Sequence, residues 1–455
     1  MAVIFQNLTR ANEIGANSYY LGFEKNGLLL DAGVHPKIEG ALSKPVLERI
    51  QHKDIHALLL SHCHLDHVGA LPIAAHQHPE MEILMTVPSH HLVDRILHNS
   101  VNIMVKQREE LNLVEYPFFT HSEVDRLAGR YTPVPFRRPV TLDWRSGDDT
   151  AVSFYEAGHI QGAAGILIEH DGKKIFYTGD VNFRDQKITR HARFPEEPVD
   201  VLIAETTRGG KEVSPDWSWE SEQRRLGQAI HEVFERGGSV LIPIFALGKT
   251  QEMLFMVWEM MQEGVIPRQN VYIGGLGSTF TSIHDQLASQ SPRLHPEFKF
   301  RQELEINVLE HEKAYDIPIG AGRLMLISAG MMTPQTSSHI LGQRMLNNPL
   351  HGIFFVGYCD PDSPAAQILR TPPMGEVRLD PKGPLLQRKC RVEHFDFSSH
   401  CNRDEMIDYM KKARPKTVFL VHGDTNALHW FEEKLKGELP GARIIIPEPG
   451  REYEI

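Results

Sequence analysis

Ser61-His62-Cys63-His64-Leu65-Asp66-His67 sets three imidazoles and one carboxylate into a single short stretch. The apolar run 57–60 before it predicts a short buried strand, which would put these side chains at the strand's carboxyl end. The HxHxDH spacing lets His62 and His64 face one metal ion while Asp66 and His67 face a second, as a two-metal hydrolytic centre requires. A histidine-rich surface loop is the alternative, and it leaves the density of ligands unexplained.

Three further polar residues each come at the end of an apolar run that predicts a strand. They are Asp31, His159 and Asp180. Side chains collected at the carboxyl ends of successive strands can converge on one cleft, as in α/β ligand sites generally. Taken singly, an aspartate in this position is more often a turn former or a helix cap. Their order and shared context favour a common site.

The combined pattern resembles the metallo-β-lactamase superfamily. The resemblance implies two divalent ions, with zinc favoured by the imidazole-rich ligand set and Mn²⁺ as the alternative. Asp180 is expected to bridge the two ions, and Asp31 is expected to be a hydrogen-bond acceptor that orients a ligand histidine. The ligands expected for one ion are His62, His64 and His159, and those for the other are Asp66, His67 and His422.

Three later motifs resemble the A, B and C motifs of the β-CASP nucleases, a group within that superfamily. They are Glu205-Thr206-Thr207-Arg208-Gly209, His400 after the run 395–397, and His422 in a His-Gly-Asp sequence. In that group a histidine at the last motif accompanies RNA substrates, so we expect RNA as the partner. We expect it to be single-stranded, because an inserted domain that closes over the metal cleft would exclude a duplex. The flank of Glu205 departs from the group's Ser-Thr-Tyr-Gly pattern, and a solvated strand-end carboxylate or a helix cap is the alternative for this residue.

The expected fold is α/β, a metallo-β-lactamase αββα sandwich with an inserted, mainly parallel α/β domain, the β-CASP domain. Four segments in the second half each read as a strand followed by a helix, which predicts a parallel sheet covered by helices. These strands are expected at 240–244, 271–273, 324–327 and 353–356. We place the first part of the metallo-β-lactamase domain at 1–207, the inserted domain at 208–388 and the last part at 389–455.

The resemblance also implies a reaction. A water shared by two ions ionises near pH ~7 and can attack a phosphorus atom in line. His400, paired with Glu205, is expected to protonate the leaving sugar oxygen as the general acid, and Asp66 completes the catalytic set. The expected activity is a zinc-dependent ribonuclease, acting as an endonuclease, a 5'–3' exonuclease or both in RNA processing or decay. The alternatives are a hydrolase of a small ester, thioester or phosphodiester, and a catalytically silent subunit of an RNA-processing complex.

Composition is typical of a globular enzyme. The chain has 455 residues, 41% of them hydrophobic, and a formal net charge of 48 − 59 = −11. That charge argues against a broad basic surface, so we expect any contact with nucleic acid to be local. Four scattered cysteines favour a reducing compartment, and neither a secretion signal nor a membrane span is visible. We therefore expect a cytoplasmic protein without a membrane partner, and a homodimer is a further expectation.

Overall fold

A computed structural model describes residues 3–24, 26–144, 149–214, 216–380 and 383–455. The chain divides into two compact units. Unit 1 contains the residues up to Asp185, His191–Val213 and His400–Ile455, and unit 2 contains Gln186–Arg190 and Ser214–Ser399.

The strands are numbered in chain order. They are β1 Val3–Asn7, β2 Tyr19–Phe23, β3 Asn26–Leu30, β4 Ile55–Leu59, β5 Glu82–Thr86, β6 Tyr131–Val134, β7 Val140–Asp143, β8 Asp149–Glu156, β9 Ala164–His170, β10 Lys173–Tyr177, β11 Val201–Glu205, β12 Val240–Pro243, β13 Val271–Gly274, β14 Ile306–Leu309, β15 Leu324–Ile327, β16 Gly352–Phe355, β17 Glu376–Val377, β18 Leu386–Gln387, β19 Arg391–His394, β20 Thr417–Val421, β21 Arg443–Ile445 and β22 Glu452–Glu454.

The α-helices are numbered in the same way. They are α1 Leu65–Val68, α2 Leu71–Gln77, α3 Val87–Leu111, α4 His121–Leu127, α5 Trp219–Glu235, α6 Lys249–Gln262, α7 Gly275–Gln286, α8 Phe300–Glu303, α9 Ser337–Leu346, α10 Pro364–Arg370, α11 Arg403–Ala413 and α12 Thr425–Glu438. Short 3₁₀ turns lie at Gly40–Ser43, Leu47–Ile50, Ala128–Arg130 and Glu312–Ala314. Among the described residues, no helix combines the length and the apolar character needed to cross a membrane.

Unit 1 is built on two seven-stranded sheets, ordered β22-β1-β2-β3-β4-β5-β6 and β21-β20-β11-β10-β9-β8-β7. Their facing sides share one apolar core, in which the rings of Phe5 and Phe419 stack with centroids 4.0 Å apart. Helix α3 packs on β5 and β6 of the first sheet, and α12 packs on β20 and β21 of the second. Helices therefore cover the outer side of each sheet, and the predicted αββα sandwich is confirmed.

Unit 2 contains a six-stranded sheet ordered β14-β13-β15-β12-β16-β19, and every pair of neighbours is parallel. Successive residues of β15 enter different cores, since Leu324 and Leu326 pack on one face and Met325 and Ile327 on the other. Burial on both faces is why these strands read as continuous apolar runs. The predicted parallel α/β domain is confirmed.

The compact units divide after Val213 and after Ser399, whereas the sequence places the limits at 207/208 and 388/389. The second difference has a structural cause, because β19 pairs in parallel with β16 and extends the sheet of unit 2. The segment Gln186–Arg190 also belongs to unit 2, where the buried carboxylate of Glu252 accepts three of its backbone N–H groups.

Candidate metal centre

The HxHxDH stretch follows β4 directly, so the strand fixes where the first ligands begin. His64 lies just before the short helix α1, which carries Asp66 and His67. The loop after β3 packs closely on this helix at Gly33, where an added Cβ would lie 1.7 Å from the carbonyl oxygen of Asp66. A larger residue at position 33 would therefore push the ligand helix out of place.

Three groups of side chains among the described residues have the spacing that holds a metal ion, and the third of them is Asp180 with Glu205 and His400. Within each group, one candidate ligand atom from every residue lies within 4.8 Å of the others. The first group is His62, His64, His159 and Asp180, and the second is Asp66, His67 and His422. These are the seven residues that the sequence predicts as ligands, and the structure brings them together in the same two sets.

Asp180 stands between the first two groups. Its Oδ2 lies 3.6 Å from Nε2 of both His62 and His159, whereas its Oδ1 lies 3.3 Å from Nε2 of His67 and 3.5 Å from Nδ1 of His422. Each carboxylate oxygen thus faces one group, which is the arrangement that a bridging carboxylate needs.

Several observations show that these residues fit divalent ions. Nε2 of His62 is buried and has no hydrogen-bond partner among the described residues. Burial and the neighbouring His67 hold the pKa of His62 well below its usual range, so its imidazole is neutral. Burial alone would raise the pKa of Asp180, but His422 and His67 outweigh it and hold the pKa well below the usual range. A neutral imidazole and an ionised carboxylate are the forms that bind metal.

The carboxylates around the second group raise the pKa values of its two histidines. Burial lowers the pKa of His67, but the carboxylates of Asp180 and Asp66 raise it more, so the net shift is well above the usual value. Burial also lowers the pKa of His422, but the carboxylates of Asp180 and Asp66 together raise it more, so the net shift is upward. Metal binding requires neutral imidazoles, so binding at this group would release protons and strengthen as the pH rises.

Asp31 lies directly after β3 and is fully buried. Its Oδ1 accepts the backbone N–H of Ser61, and its Oδ2 accepts from Nδ1 of His67 and from the hydroxyls of Ser61 and Tyr177, each at 2.7 Å. The bond to Nδ1 turns Nε2 of His67 toward Asp66 and Asp180. Asp31 therefore occupies the place predicted for an acceptor that orients a ligand histidine.

His400 and Glu205 form a pair beside the carboxylate of Asp180. Nδ1 of His400 lies 3.0 Å from Oε1 and 3.1 Å from Oε2 of Glu205, and its Nε2 lies 3.9 Å from Oδ2 of Asp180. Glu205 ends β11, is only 2% exposed, and also accepts the backbone N–H of Val181 at 2.7 Å. The carboxylate faces the imidazole rather than solvent, which contradicts the alternative of a solvated strand-end group.

Sequence reasoning missed the residues that hold the ligands in place. Ser61 and Tyr177 both bind Asp31, and Asn17 places its Nδ2 3.2 Å from Nε2 of His67. The hydroxyl oxygen of Thr207 lies 2.8 Å from Nδ1 of His422. Hydroxyl and amide side chains are common at strand ends, so only the adjacency of Ser61 to His62 offered a signal.

The fold and the site define a class: an αββα protein with a metal centre at strand ends and a parallel α/β insertion. Family models agree, since residues 11–231 match the metallo-beta-lactamase superfamily, 250–368 the Beta-Casp domain, and 386–447 the Zn-dependent metallo-hydrolase RNA specificity domain. The chain belongs to the β-CASP group of the metallo-β-lactamase superfamily.

Relatives span several lineages. The chain is 27% identical to cleavage and polyadenylation specificity factor subunit 3 of Dictyostelium discoideum, over 96% of this chain and 55% of that protein. It is 26% identical to endoribonuclease YSH1 of Eremothecium gossypii, over 97% and 58%. It is 27% identical to probable RNase MJ4 of Methanocaldococcus jannaschii over the whole of both chains. The chain thus spans little more than half the length of the first two relatives.

A solved structure from Enterococcus faecalis, of a protein of unknown function, superimposes with a TM-score of 0.61 over the whole of both chains. The two sequences are 14% identical, so this similarity concerns the fold alone.

Proposed function

We propose that this protein is a two-zinc ribonuclease that hydrolyses phosphodiester bonds of single-stranded RNA, with Mn²⁺ as the alternative metal. The observation that carries the proposal is the position of Asp180, whose two oxygens face two histidine groups while His400 lies beside one of them. A dinuclear hydrolytic centre with an adjacent acid is suited to phosphodiester cleavage.

Each residue of the centre has its own role in the proposed reaction. The first two groups would hold one ion each, with Asp180 shared and Asp66 counted both as a ligand and as a catalytic carboxylate. Bound divalent ions supply a water of lowered pKa and neutralise charge on the phosphate oxygens. Glu205 binds Nδ1 of His400, so Nε2 is left to carry a proton to the leaving sugar oxygen. A positioned acid of this kind typically contributes ~10²- to 10⁴-fold.

RNA is the proposed substrate for two reasons. The carboxyl-terminal region matches an RNA specificity domain, and relatives of this chain are named endoribonuclease and RNase. The net charge of −11 means that a polyanion is attracted at the metal centre rather than over a broad surface. Endonuclease and 5'–3' exonuclease action are both compatible with one such centre. We also propose that the protein is cytoplasmic and forms a homodimer. Cell fractionation tests the location, and light scattering of the purified protein tests the oligomeric state.

The decisive experiment digests RNA labelled at either end with purified protein of known metal content. We expect about two zinc ions per chain by elemental analysis and cleavage of unpaired RNA in preference to a blunt duplex. His400→Ala should retain both metals and slow cleavage by ~10²-fold or more. His52→Ala is the matched control, because His52 is exposed and outside the centre.

Two outcomes would contradict the proposal. A fully metal-loaded protein that leaves every RNA intact but hydrolyses small esters or thioesters would be a hydrolase of another class. A protein that binds RNA and metal but turns over no substrate would be a silent binding subunit.

A further inference from the structure

His422 sits in a strained turn that other residues must hold. It follows β20 with φ = +50°, in the left-handed region that residues with a side chain rarely adopt. Its carbonyl oxygen accepts the backbone N–H of Thr206 at 3.2 Å, and the Thr206 hydroxyl donates to the carbonyl of Val421 at 3.0 Å. A Cβ on Gly423 would lie 2.1 Å from Oγ1 of Thr206. The turn after β11 is therefore packed directly against the turn that carries His422.

The Thr207 hydroxyl is placed to bind His422 twice. Its Oγ1 lies 2.8 Å from Nδ1 of the ring and 3.3 Å from the carbonyl oxygen of the same residue. One hydroxyl can accept the N–H of the ring and donate its own proton to the carbonyl. Asp180 is the competing acceptor, but its Oδ1 is 3.5 Å from Nδ1. Thr207 is therefore the nearer partner.

Because the Thr207 hydroxyl can donate to the carbonyl of His422, its oxygen is left to accept from the ring, which favours the proton on Nδ1. With the proton on Nδ1, the lone pair of Nε2 is left facing Oδ2 of Asp66 at 3.3 Å. His67, in the same group, is held in the same way by Asp31, at 2.7 Å from its Nδ1. Thr207 does for His422, with a neutral hydroxyl, what Asp31 does for His67 with a carboxylate.

Thr207 also contacts the pair formed by Glu205 and the proposed general acid His400. The backbone N–H of Thr207 donates to Oε2 of Glu205 at 3.3 Å, and Glu205 in turn binds His400. One residue thus contacts both a ligand histidine and the carboxylate that holds the proposed acid.

We propose that Thr207 is a positioning residue whose hydroxyl holds His422 with Nε2 directed at the second metal ion and so sets the affinity for that ion. The inference rests on the proposed two-metal centre but not on the identity of the substrate. The sequence analysis assigns no role to Thr207.

The test measures metal affinity rather than RNA cleavage. Metal-free wild type, Thr207→Val and Thr207→Ser are titrated with Zn²⁺ against a chromophoric chelator, and with Co²⁺ while visible absorption is recorded. Thr207→Val should weaken binding of one ion by about 10- to 100-fold and leave the other unchanged, since losing a partner of a ligand typically has this effect. Thr207→Ser keeps the hydroxyl and should restore most of the affinity.

A matched control is available in the same unit. The Thr150 hydroxyl lies 2.7 Å from Nδ1 of His170, a histidine outside the centre, and Thr150 is fully buried. Thr150→Val removes a similar bond and should change thermal stability without changing either metal affinity. If Thr207→Val proves unfolded by circular dichroism, Thr207→Ala replaces it as the variant without a hydroxyl.

The proposal would be overturned by a folded Thr207→Val or Thr207→Ala that binds both ions as tightly as the wild type. It would equally be overturned if Thr207→Ser lost as much affinity as Thr207→Val, since the hydroxyl would then be irrelevant. A wild type that binds two ions but cleaves no RNA contradicts the proposed ribonuclease activity and leaves this test intact.

Discussion

Replacing Asp31 by asparagine removes a buried charge while keeping the shape of the side chain. One oxygen of Asp31 accepts a backbone N–H from Ser61, a donor that cannot turn away. The other accepts from two hydroxyls and from Nδ1 of His67. In the variant, the amide oxygen must therefore face the N–H of Ser61, and the amide NH₂ must occupy the position of Oδ2. There the hydroxyls of Ser61 and Tyr177 can rotate to accept from it. His67 can adapt only by moving its proton from Nδ1 to Nε2.

That proton shift removes the lone pair that His67 presents to the second metal group. A hydrogen bond to a charged group contributes about 1.5 to 3 kcal/mol, and every 1.4 kcal/mol is about tenfold in an equilibrium constant. We therefore expect Asp31→Asn to weaken binding of one ion by about 10- to 100-fold, in the range usual for partners of ligand histidines. The group of His62, His64 and His159 should keep its ion.

Chelator competition with Zn²⁺ measures both affinities, and circular dichroism checks that the variant is folded. Asp200→Asn is the control, because Asp200 also accepts a backbone N–H, from Lys174 at 2.9 Å, and contacts no histidine of the centre. A folded Asp31→Asn with two wild-type affinities would show that the contact with Asp31 does not determine the state of the His67 ring.

Three further predictions concern other residues. His422→Ala should lose one metal ion, whereas His400→Ala should keep both and slow cleavage, and elemental analysis with RNA digestion would show if these roles are reversed. Glu252→Ala should lower the free energy of unfolding by about 3 kcal/mol or more in urea titrations, because three backbone N–H groups of 187–189, two of them buried, lose their acceptor; an unchanged midpoint would contradict this. Burial lowers the pKa of His284 to about 3, so the unfolded chain takes up its proton first and stability falls as the pH drops from ~6.5 toward 3, by about 1.4 kcal/mol per pH unit. His284→Leu should remove this slope in thermal melts between those pH values, and a slope equal to that of the wild type would refute the assignment.

The inserted sheet shows which strands sequence alone reveals. The four predicted strands correspond to β12, β13, β15 and β16, which lie inside the sheet and are apolar because both faces are covered. The two that were missed, β14 and β19, form its edges. β19 reads Arg-Val-Glu-His and is only partly buried, so its composition matches that of a loop. An edge strand has a neighbouring strand on one side only and tolerates polar residues. It therefore lacks the continuous apolar run by which the inner strands were predicted.

In the metal centre, too, the sequence predicts some residues and not others. His62, His64, Asp66 and His67 are close in sequence, and strand ends that meet at one edge bring the remaining ligands to them. Asp31 is expected from the resemblance, but the hydroxyls of Tyr177 on Asp31 and of Thr207 on His422 depend on rotamers and on turns far apart in the chain. Such partners follow from the folded geometry rather than from any spacing.

The difference between the two orienting groups has an electrostatic consequence. Asp31, Asp66 and Asp180 bring three carboxylates to the centre, while Glu205 is paired with His400. With the two divalent ions that we propose, four positive charges would meet these three carboxylates and the hydroxide formed from the shared water, so the charges would balance. A further carboxylate at position 207 would make this balance negative. In a chain of net charge −11, the neutral hydroxyl of Thr207 therefore contacts a ligand histidine without adding negative charge where a phosphodiester would bind.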